Sequence, residues 1–268
     1  MTVKLIQGDC FHAISRLADK SVDIVFTDPP YNATDLDFDD YVISDELNNL
    51  FLQKTKDNGY LVVFGMFNMF CFFNRSWQFR FDGVWIKPRG NPRTHSAKKP
   101  MNQKELFAVF AHPQAKTKDL CWEKHYVPGE PYIKTQKNTG YRRKGKDQLS
   151  RSSCEGWTID GYKSINSGHR QSTDVLFGPQ KSTMIFDERT PHPTQKPLKV
   201  LMTIIYWLTK EGDTILDPFM GSGTTGVAAQ RMGRNFIGIE IDPEYYRMAK
   251  DRIENDQPLF NAGIGKLI

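Results

Sequence analysis

Apolar residues form short runs near the two ends of the chain, and polar residues separate these runs at fairly regular intervals. In the N-terminal third, continuous apolar runs alternate with stretches in which apolar residues recur every three or four positions. The first pattern is typical of buried strands and the second of amphipathic helices. The predicted strands are Val3 to Ile6, Val22 to Thr27, Tyr60 to Phe64, Phe81 to Ile86 and Leu106 to Ala111. The predicted helices are Phe11 to Leu17, Ser44 to Lys56, with Ser44 as N-cap and Gly59 after its end, and a third around Phe67 to Cys71.

The same alternation returns at Pro197 and continues almost to the end of the chain. The predicted helices are Leu198 to Leu208, Thr224 to Met232 and Pro243 to Ile253, and the predicted strands are Thr214 to Leu216 and Asn235 to Glu240. Repeated strand–helix alternation is typical of sheets whose strands run parallel. We therefore predict an α/β fold with a Rossmann-like, mainly parallel sheet and helices on both faces.

The alternation fails between Lys87 and about Lys181, where Gly, Pro, Ser, Asn and Lys are scattered and periodic apolar runs are few. This stretch is too long for an ordinary loop inside a compact domain, which favours an inserted functional region. The sequence thus predicts three segments: residues 1–87 and 181–268 build one domain, and residues 88–180 form an irregular insertion.

Charge is distributed unevenly along the chain. Residues 87–170 contain 18 Lys and Arg against 7 Asp and Glu, whereas the whole chain of 268 residues has a net charge of only +5. A basic middle within an acidic remainder indicates a surface that binds a polyanion. The alternative is a solvated loop whose charge has no partner.

Cysteine spacing and hydropathy limit the class of protein. The four cysteines form no C-x-x-C pair and the histidines no ligand-spaced cluster, so neither a metal site nor a disulfide framework is expected. No signal peptide is visible, and the apolar stretch from Leu61 to Phe73 is too short to span a bilayer. We expect a cytoplasmic protein with no membrane partner, in a reducing compartment.

A glycine-rich turn lies between a predicted strand and a predicted helix, in the run Asp217-Pro218-Phe219-Met220-Gly221-Ser222-Gly223-Thr224-Thr225. Small residues allow the backbone to approach a ligand closely, and a helix N-terminus offers N–H groups. Glu240 ends the next strand, about 20 residues further on, where an acid suits the two hydroxyls of a ribose. These features indicate a nucleoside cofactor, either a dinucleotide or S-adenosylmethionine. The alternatives are a purely structural turn and a helix-end role for Glu240, which Asp242 fills better as N-cap.

A second turn, Asp28-Pro29-Pro30-Tyr31, directly follows a buried strand. Open α/β sheets bind their ligands at this end of their strands. The prolines remove two N–H donors, so that the turn offers a carboxylate, a fixed carbonyl and an aromatic face. An exocyclic amino group of a nucleobase is a poor nucleophile because its lone pair is delocalised, and two acceptors that hold its N–H groups favour attack. Tyr31 could stack on a base that has left its helix.

Three motifs in order resemble the β class of S-adenosylmethionine-dependent DNA amino-methyltransferases. They are Thr27-Asp28-Pro29-Pro30-Tyr31-Asn32, His192-Pro193-Thr194-Gln195-Lys196-Pro197 and the glycine-rich turn. In that class the motif order is circularly permuted: the catalytic motif comes first, the target-recognition region follows and the cofactor motif is last. The resemblance covers roughly residues 1–87 and 185–255, so residues 88–180 would be the target-recognition region by position only.

The resemblance implies a role for each matching residue. Asp28 to Tyr31 would be the catalytic turn, and Asp9 and Cys10 would contact the cofactor's adenine. Lys196 and the turn would hold the methionine end, and Glu240 the ribose. The predicted cofactor-binding residues are Asp9, Cys10, Asp28, Lys196, Asp217, Phe219, Gly221, Ser222, Gly223, Thr224, Thr225, Glu240 and Ile241.

In this family Asp-Pro-Pro-Tyr usually accompanies methylation of adenine N6, and Ser-Pro-Pro-Tyr that of cytosine N4. The resemblance therefore implies an adenine enzyme, with cytosine N4 as the alternative. Methylation of RNA or of a protein amide is a weaker alternative, because protein amide enzymes place Asn-Pro-Pro-Tyr after the cofactor motif. A catalytically inactive DNA-binding module is a third, although Asp28, Tyr31 and Glu240 are intact.

The partners follow from the same interpretation. Double-stranded DNA is the expected substrate, and the chain would be bacterial or phage-encoded and associated with the nucleoid. A homodimer and a restriction endonuclease partner are compatible with the sequence. Trp85, Trp122 and Trp157 could stack on a base, but core packing is favoured for each. The predicted DNA-binding residues are Arg93, Lys98, Lys99, Arg142, Arg143, Lys144 and Lys146.

Overall fold

A computed structural model describes residues 1–29, 43–91, 102–128, 132–136, 162–166, 169–184 and 188–256. The helices are α1 (Cys10–Ser15), α2 (Asp45–Lys54), α3 (Phe67–Phe73), α4 (Leu198–Leu208), α5 (Thr224–Arg231) and α6 (Pro243–Asn255). The strands are β1 (Val3–Gln7), β2 (Val22–Thr27), β3 (Thr55–Gly65), β4 (Gln78–Asn91), β5 (Asn102–Ala111), β6 (Tyr126–Pro128), β7 (Tyr132–Gln136), β8 (Tyr162–Asn166), β9 (His169–Gln171), β10 (Val175–Phe177), β11 (Thr214–Asp217) and β12 (Asn235–Glu240).

Eight of the strands in the described ranges form one sheet, in the order β1-β12-β11-β2-β3-β5-β4-β10. Every neighbouring pair is parallel except the two that involve β5, which is antiparallel to both β3 and β4. The carboxyl ends of the seven parallel strands therefore meet the amino end of β5 at one edge of the sheet. The predicted α/β fold with a mainly parallel sheet is confirmed.

Two apolar layers cover the two faces of the sheet. Alternate residues of a strand point to opposite faces, so Ile24 and Phe26 belong to one layer and Val25 to the other. Helices α4, α5 and α6 contribute to the first layer, and α1, α2 and α3 to the second. The expectation of helices on both faces is thus confirmed. None of the helices in the described ranges has the length and apolar character that crossing a membrane requires.

The sequence prediction was wrong about the end of α2. The helix begins after Ser44, whose hydroxyl accepts a hydrogen bond from the N–H of Leu47 as expected, but it ends at Lys54 and β3 starts at Thr55. Thr55 pairs with Val22 in β2, so sheet pairing overrides the helical pattern here. Gly59 lies inside β3, where a Cβ atom would stand 2.6 Å from the carbonyl oxygen of Asp23. Its role is to permit close strand contact.

Residues 126–172 form a separate compact unit from the remainder, residues 1–125 and 173–268. Its described strands make two antiparallel pairs, β6 with β9 and β7 with β8. β5 and β10 belong to the central sheet, although their sequences fall between positions 88 and 180. The division of the chain into a catalytic domain and a target-recognition insertion stays a prediction.

Candidate active site

The predicted site residues lie at the carboxyl ends of four neighbouring strands. Asp28 follows β2, Asp217 ends β11, Glu240 ends β12 and Gly8 follows β1. The N–H of Gly8 donates to the carbonyl oxygen of Glu240 at 2.9 Å, which fixes the start of the Asp9-Cys10 segment beside β12. The fold therefore brings the two turns found in the sequence, and the acid predicted for the ribose, to one edge of the sheet.

Asp28 is held by a lysine from a distant part of the chain. The ammonium group of Lys196 donates a hydrogen bond to Oδ2 of Asp28 and is almost entirely buried. Pro29 is buried directly after Asp28. Pro30 and Tyr31, the other two predicted catalytic residues, lie outside the described residues. The family resemblance implied that Lys196 holds the cofactor, and the structure places its ammonium group against the predicted catalytic carboxylate.

Buried polar contacts fix the segment that carries Lys196. The neighbouring Gln195 accepts from the N–H of Thr190 at 2.7 Å and donates to the carbonyl oxygen of Glu188 at 2.6 Å. The carboxylate of Glu188 accepts the N–H of Leu198, in the first turn of α4, at 2.6 Å. These bonds hold the segment before α4 in one conformation, and with it the start of the Lys196 side chain.

Glu105 is a further site residue that the sequence analysis missed. Its Oε2 lies 3.3 Å from Nζ of Lys196, and its Oε1 lies 2.5 Å from Nζ of Lys87. Burial opposes the charged form of Glu105, but the two lysines outweigh it and hold the pKa of this carboxyl below its usual range. The ammonium of Lys196 also lies 5.3 Å from the ring centre of Phe64. A signal was present in the sequence: Glu105 is a carboxylate directly before an apolar strand run.

The glycine-rich turn depends on two left-handed backbone positions. Gly221 has φ +48° and Gly223 has φ +74°, a region that other residues rarely adopt. A Cβ on Gly221 would stand 2.8 Å from Nε2 of His192, and one on Gly223 would stand 2.9 Å from Cβ of Ala249. His192 stacks edge-on against Tyr245 with ring centres 4.5 Å apart, and burial lowers the pKa of His192 to about 4. A neutral, packed imidazole therefore closes one side of the turn.

Glu240 joins β12 to the glycine-rich turn. Its carboxylate accepts the N–H of Gly221 and the N–H of Asp242, each at 2.9 Å. Burial raises the pKa of Glu240 in spite of these bonds. Each carboxylate oxygen has the capacity to accept more than one hydrogen bond, so both oxygens of Glu240 can also accept hydroxyl groups. Asp242 caps α6 by accepting the N–H groups of Glu244 and Tyr245, as the sequence predicted.

Asp217 lies between the other two carboxylates along the edge. It accepts the N–H of Phe219 at 3.1 Å and a hydrogen bond from the hydroxyl of Thr225. Burial, with smaller contributions from Asp28 and Glu240, raises the pKa of Asp217 to about 7. Burial therefore favours the protonated form of Asp217 in the folded protein.

Arg252 of helix α6 forms hydrogen bonds with the glycine-rich turn. This guanidinium donates to the carbonyl oxygen of Ser222 at 3.1 Å and to Oγ1 of Thr224 at 2.8 Å. The hydroxyls of Ser222 and Thr224 also lie 3.1 Å apart and are buried. No local pattern singles out Arg252, because its hydrogen bonds are with the glycine-rich turn rather than with its own helix.

Asp9, Cys10 and Ile241 occupy the β1 end of the same edge. Asp9 caps α1 by accepting the N–H of His12 at 3.0 Å; burial opposes ionisation, but the hydrogen bonds with His12 hold the pKa of Asp9 below its usual value. Cys10 is buried, whereas Ile241 is 65% exposed beside Glu240. An exposed apolar side chain next to a predicted ribose acid suits contact with a flat heterocycle.

The remaining predictions separate into three groups. Trp85 is a core residue, 2% exposed, whose ring N–H donates to the carbonyl oxygen of Gly178. Trp122 is 45% exposed and packs against Phe81 and Trp207. The following lie outside the described residues: Trp157, Arg93, Lys98, Lys99, Arg142, Arg143, Lys144 and Lys146.

Comparison with known proteins identifies the family. The model of N6/N4 methyltransferases, described as DNA methylase, matches residues 22–251. The chain belongs to this N6/N4 family of DNA methylases. It is 31% identical to the type II methyltransferase M2.DpnII of Streptococcus pneumoniae over 261 residues, which cover 93% of this chain and 89% of that protein.

Solved DNA methylases have the same fold. The structure of an M1.HpyAVI–SAM complex matches with a TM-score of 0.60 and 25% identity, over 94% of this chain and 100% of that one. The cytosine-N4-specific PvuII DNA methyltransferase matches with a TM-score of 0.61 at 16% identity, over 100% and 90% of the two chains. The chain is therefore an S-adenosylmethionine-dependent DNA amino-methyltransferase.

The described residues fit the methylase cofactor. Gly221 and Gly223 provide a turn whose backbone can approach a ligand, and Glu240 provides acceptors for a ribose. S-adenosylmethionine supplies a methyl group activated by a positively charged sulfur. In the part of the chain that the structure describes, no three His, Cys, Asp or Glu side chains are grouped to hold a metal ion.

Proposed function

We propose that this DNA methylase transfers the methyl group to N6 of adenine in double-stranded DNA, with Asp28-Pro29-Pro30-Tyr31 as the catalytic turn. One observation carries the proposal: Asp28 is held by a buried lysine at the same sheet edge as the glycine-rich turn and Glu240. The choice of adenine rests on the Asp-Pro-Pro-Tyr motif, which accompanies adenine N6 in the family that this chain resembles.

The residues of the turn have complementary tasks in this reaction. The amino group of adenine carries two N–H bonds; the carboxylate of Asp28 accepts one, and a carbonyl oxygen of the proline turn accepts the other. Both bonds orient the nitrogen and free its lone pair. Positive charge develops on this nitrogen as it takes the methyl group from the sulfonium sulfur, which would leave as a neutral thioether. The negative charge of Asp28 stabilises this positive charge until the nitrogen loses one proton to solvent. No covalent intermediate with the protein is needed. The adenine reaches the site by flipping out of the helix, and Tyr31 stacks on it.

The cofactor site is proposed along the neighbouring strand ends. The turn from Asp217 to Thr225 holds the methionine end, and Glu240 accepts the ribose hydroxyls. Asp9, Cys10 and Ile241 contact the adenine ring. Lys196 serves the methionine end from its position beside Asp28, so that it stands between the methyl donor and the methyl acceptor.

The base specificity has a direct test. The protein is incubated with S-adenosylmethionine and unmethylated plasmid DNA, and the digested nucleosides are separated by mass spectrometry. We expect N6-methyladenine. A product consisting of N4-methylcytosine overturns the adenine assignment, and no methylated base at all supports the inactive DNA-binding alternative. Sequencing the modified positions also yields the recognised DNA word.

DNA binding is proposed for residues 88–180 as the target-recognition region. Arg142, Arg143 and Lys144, with Lys146, Arg93, Lys98 and Lys99, would contact phosphates. Replacing Arg142, Arg143 and Lys144 by Gln should weaken DNA binding and reduce the slope of log affinity against log salt by about two to three. The exposed Lys250 and Arg247 of α6, replaced by Gln, are the control. If the salt dependence is unchanged, Arg142, Arg143 and Lys144 do not contact DNA phosphates, and the DNA-binding surface is formed by other residues.

The assembly of the enzyme is a separate proposal. The relative M2.DpnII is named as a type II methyltransferase. We propose that this chain likewise protects DNA from a partner restriction endonuclease, and that it works as a homodimer. Resistance of DNA from expressing cells to endonucleases that cut at the methylated word tests the first part. Light scattering of the purified protein tests the second.

A further inference from the structure

Four charged side chains form an alternating row that ends at the proposed catalytic carboxylate. Lys87 of β4 contacts Glu105 of β5 at 2.5 Å, and Glu105 contacts Lys196 at 3.3 Å. Lys196 then donates to Asp28. The row therefore crosses from strand β4 to the end of β2 with the signs positive, negative, positive and negative. Its total charge is zero when all four groups are ionised.

The row lies largely away from solvent. The side chains of Lys87, Glu105 and Asp28 are 17%, 23% and 26% exposed, and that of Lys196 is 8% exposed. Charges at this depth are costly unless a partner of opposite sign is in contact. Removal of Glu105 thus takes away the carboxylate that lies between Lys87 and Lys196, and the remaining charges must rearrange.

The topology explains why Glu105 reaches this position. β5 runs antiparallel to β3 and β4, so its first residues lie at the edge where the other strands end. Glu105 of β5 is paired with Trp85 of β4, two residues before Lys87. One of its carboxylate oxygens contacts Lys87, and the other contacts Lys196. Lys196 also lies over the ring of Phe64, the residue of β3 that pairs with Phe107.

We propose that Glu105 is a positioning residue for methyl transfer, which neutralises Lys87 and holds the ammonium group of Lys196 against Asp28. This inference rests on the proposed catalytic role of Asp28. With Glu105 neutral, the ammonium groups of Lys87 and Lys196 repel each other without a carboxylate charge between them, and Lys196 shifts together with the Asp28 carboxylate that it contacts. With Lys87 also neutral, one ammonium and one carboxylate remain and the pair is restored.

A double-mutant cycle on Lys87 and Glu105 tests this charge balance. Glu105→Gln should lower kcat about tenfold or more, with the KM values for DNA and S-adenosylmethionine within about threefold of the wild type. Lys87→Met alone should cost about threefold or less. The double variant, Lys87→Met with Glu105→Gln, should recover most of the kcat that Glu105→Gln loses. Additive losses in the double variant overturn the proposal.

Separate controls test the folding of the variants and the proposed catalytic role of Asp28. Thermal melting of every variant establishes that rates are compared between folded proteins. Lys56→Gln removes a lysine–carboxylate pair, with Asp23 at 2.8 Å, at the opposite end of β2 and should leave kcat unchanged. If Glu105→Gln does not fold, the double variant is compared with the wild type: a kcat within about fivefold supports the proposal, and a loss of about 100-fold overturns it. If Asp28→Ala keeps turnover, the proposed function itself is wrong. If Asp28→Ala is inactive but the losses from Lys87→Met and Glu105→Gln are additive, only the proposed role of Glu105 is wrong.

Discussion

Asp28 and Glu240 are carboxylates at equivalent places in the sheet, but their surroundings differ. Each stands at the carboxyl end of a parallel strand, with β11 between the two strands. Asp28 is bound by the flexible side chain of Lys196, which Glu105 also contacts. Glu240 is bound by two backbone N–H groups, from Gly221 and Asp242. One carboxylate has a charged side-chain partner, and the other has neutral backbone partners.

The difference fits the two tasks that we propose. A ribose must be bound in one orientation, and the backbone N–H groups that donate to Glu240 orient its carboxylate oxygens as acceptors before the ribose binds. The catalytic carboxylate must accept a new hydrogen bond while charge develops on the substrate. A lysine partner stabilises its negative charge through a charge-assisted hydrogen bond.

Asp217 shows what happens at the same edge without a contacting cation among its described partners. Its bonds to Phe219 and Thr225 do not offset burial, and its pKa rises to about 7. Asp28, Asp217 and Glu240 thus differ in the groups that compensate for burial of their negative charge: a lysine, a hydroxyl with one N–H, and two backbone N–H groups. Substitutions at each position separate these three kinds of partner.

Asp28→Ala should give the largest effect. We expect kcat to fall by at least about 1,000-fold because the variant loses the group that stabilises the developing positive charge. The dissociation constant for S-adenosylmethionine should stay within about tenfold, since the turn and Glu240 are untouched. Single-turnover transfer of a labelled methyl group and isothermal titration measure the two quantities. Retained turnover contradicts the catalytic assignment.

Asp217→Asn should change stability in a pH-dependent way. The folded-state pKa of Asp217, about 7, lies above that of an unfolded aspartate, so the folded protein binds this proton more tightly. The stabilisation is complete below pH of about 4 and is lost as the pH rises to about 7. Asparagine does not titrate, so the variant does not lose this stabilisation. Its free energy of unfolding relative to the wild type should therefore rise across this pH range, by up to about 4 kcal/mol.

Denaturant unfolding of both proteins between pH 4 and pH 8 measures this difference. Other carboxyl groups, such as Glu105 with its lowered pKa, contribute with the opposite sign and cancel in the comparison of variant with wild type. Asp82→Asn, at an exposed position on β4, is the control for the loss of a carboxylate outside the site. A flat difference for Asp217→Asn means that its carboxyl group titrates as if it were exposed.

Several parts of this site were predictable because they depend on local patterns. β2 and β12 begin and end where apolar runs begin and end, so Asp28 and Glu240 could be assigned to strand ends. The spacing from the glycine-rich turn to the next strand tip selected Glu240 as the acid that would serve the same cofactor, and its carboxylate accepts the N–H of Gly221 in that turn. The N-caps Ser44 and Asp242 were likewise found by residue type and position.

Other parts depend on contacts between distant segments, which no local pattern encodes. Glu105 reaches the site only because β5 is antiparallel, and the sequence pattern predicts a strand without its direction. The pairing of Thr55 with Val22 converts the end of a helical pattern into a strand. Lys196 could be placed near the cofactor by resemblance, but its bond to Asp28 follows from the packing of α4 against the sheet.

Glu240→Ala should weaken cofactor binding about 10- to 100-fold, a smaller effect than the loss of Asp28. The variant loses the acceptors for the ribose and leaves the N–H of Gly221 without this partner. At saturating S-adenosylmethionine, kcat should recover to within about tenfold. Glu244→Ala, an exposed acid in the first turn of α6, is the control. Unchanged affinity removes the proposed ribose role.

Arg252→Met should give the smallest effect. It tests whether the glycine-rich turn beside Glu240 depends on α6 for its conformation. The guanidinium of Arg252 holds the carbonyl oxygen of Ser222 and the hydroxyl of Thr224. Methionine retains much of the apolar length but no donor, so the turn should lose order and S-adenosylmethionine should bind about fivefold more weakly. Arg247→Met, at an exposed position of the same helix, should leave the affinity unchanged. Equal effects from both substitutions would mean that α6 acts through its general stability, and that Glu240 and the glycines hold the turn without Arg252.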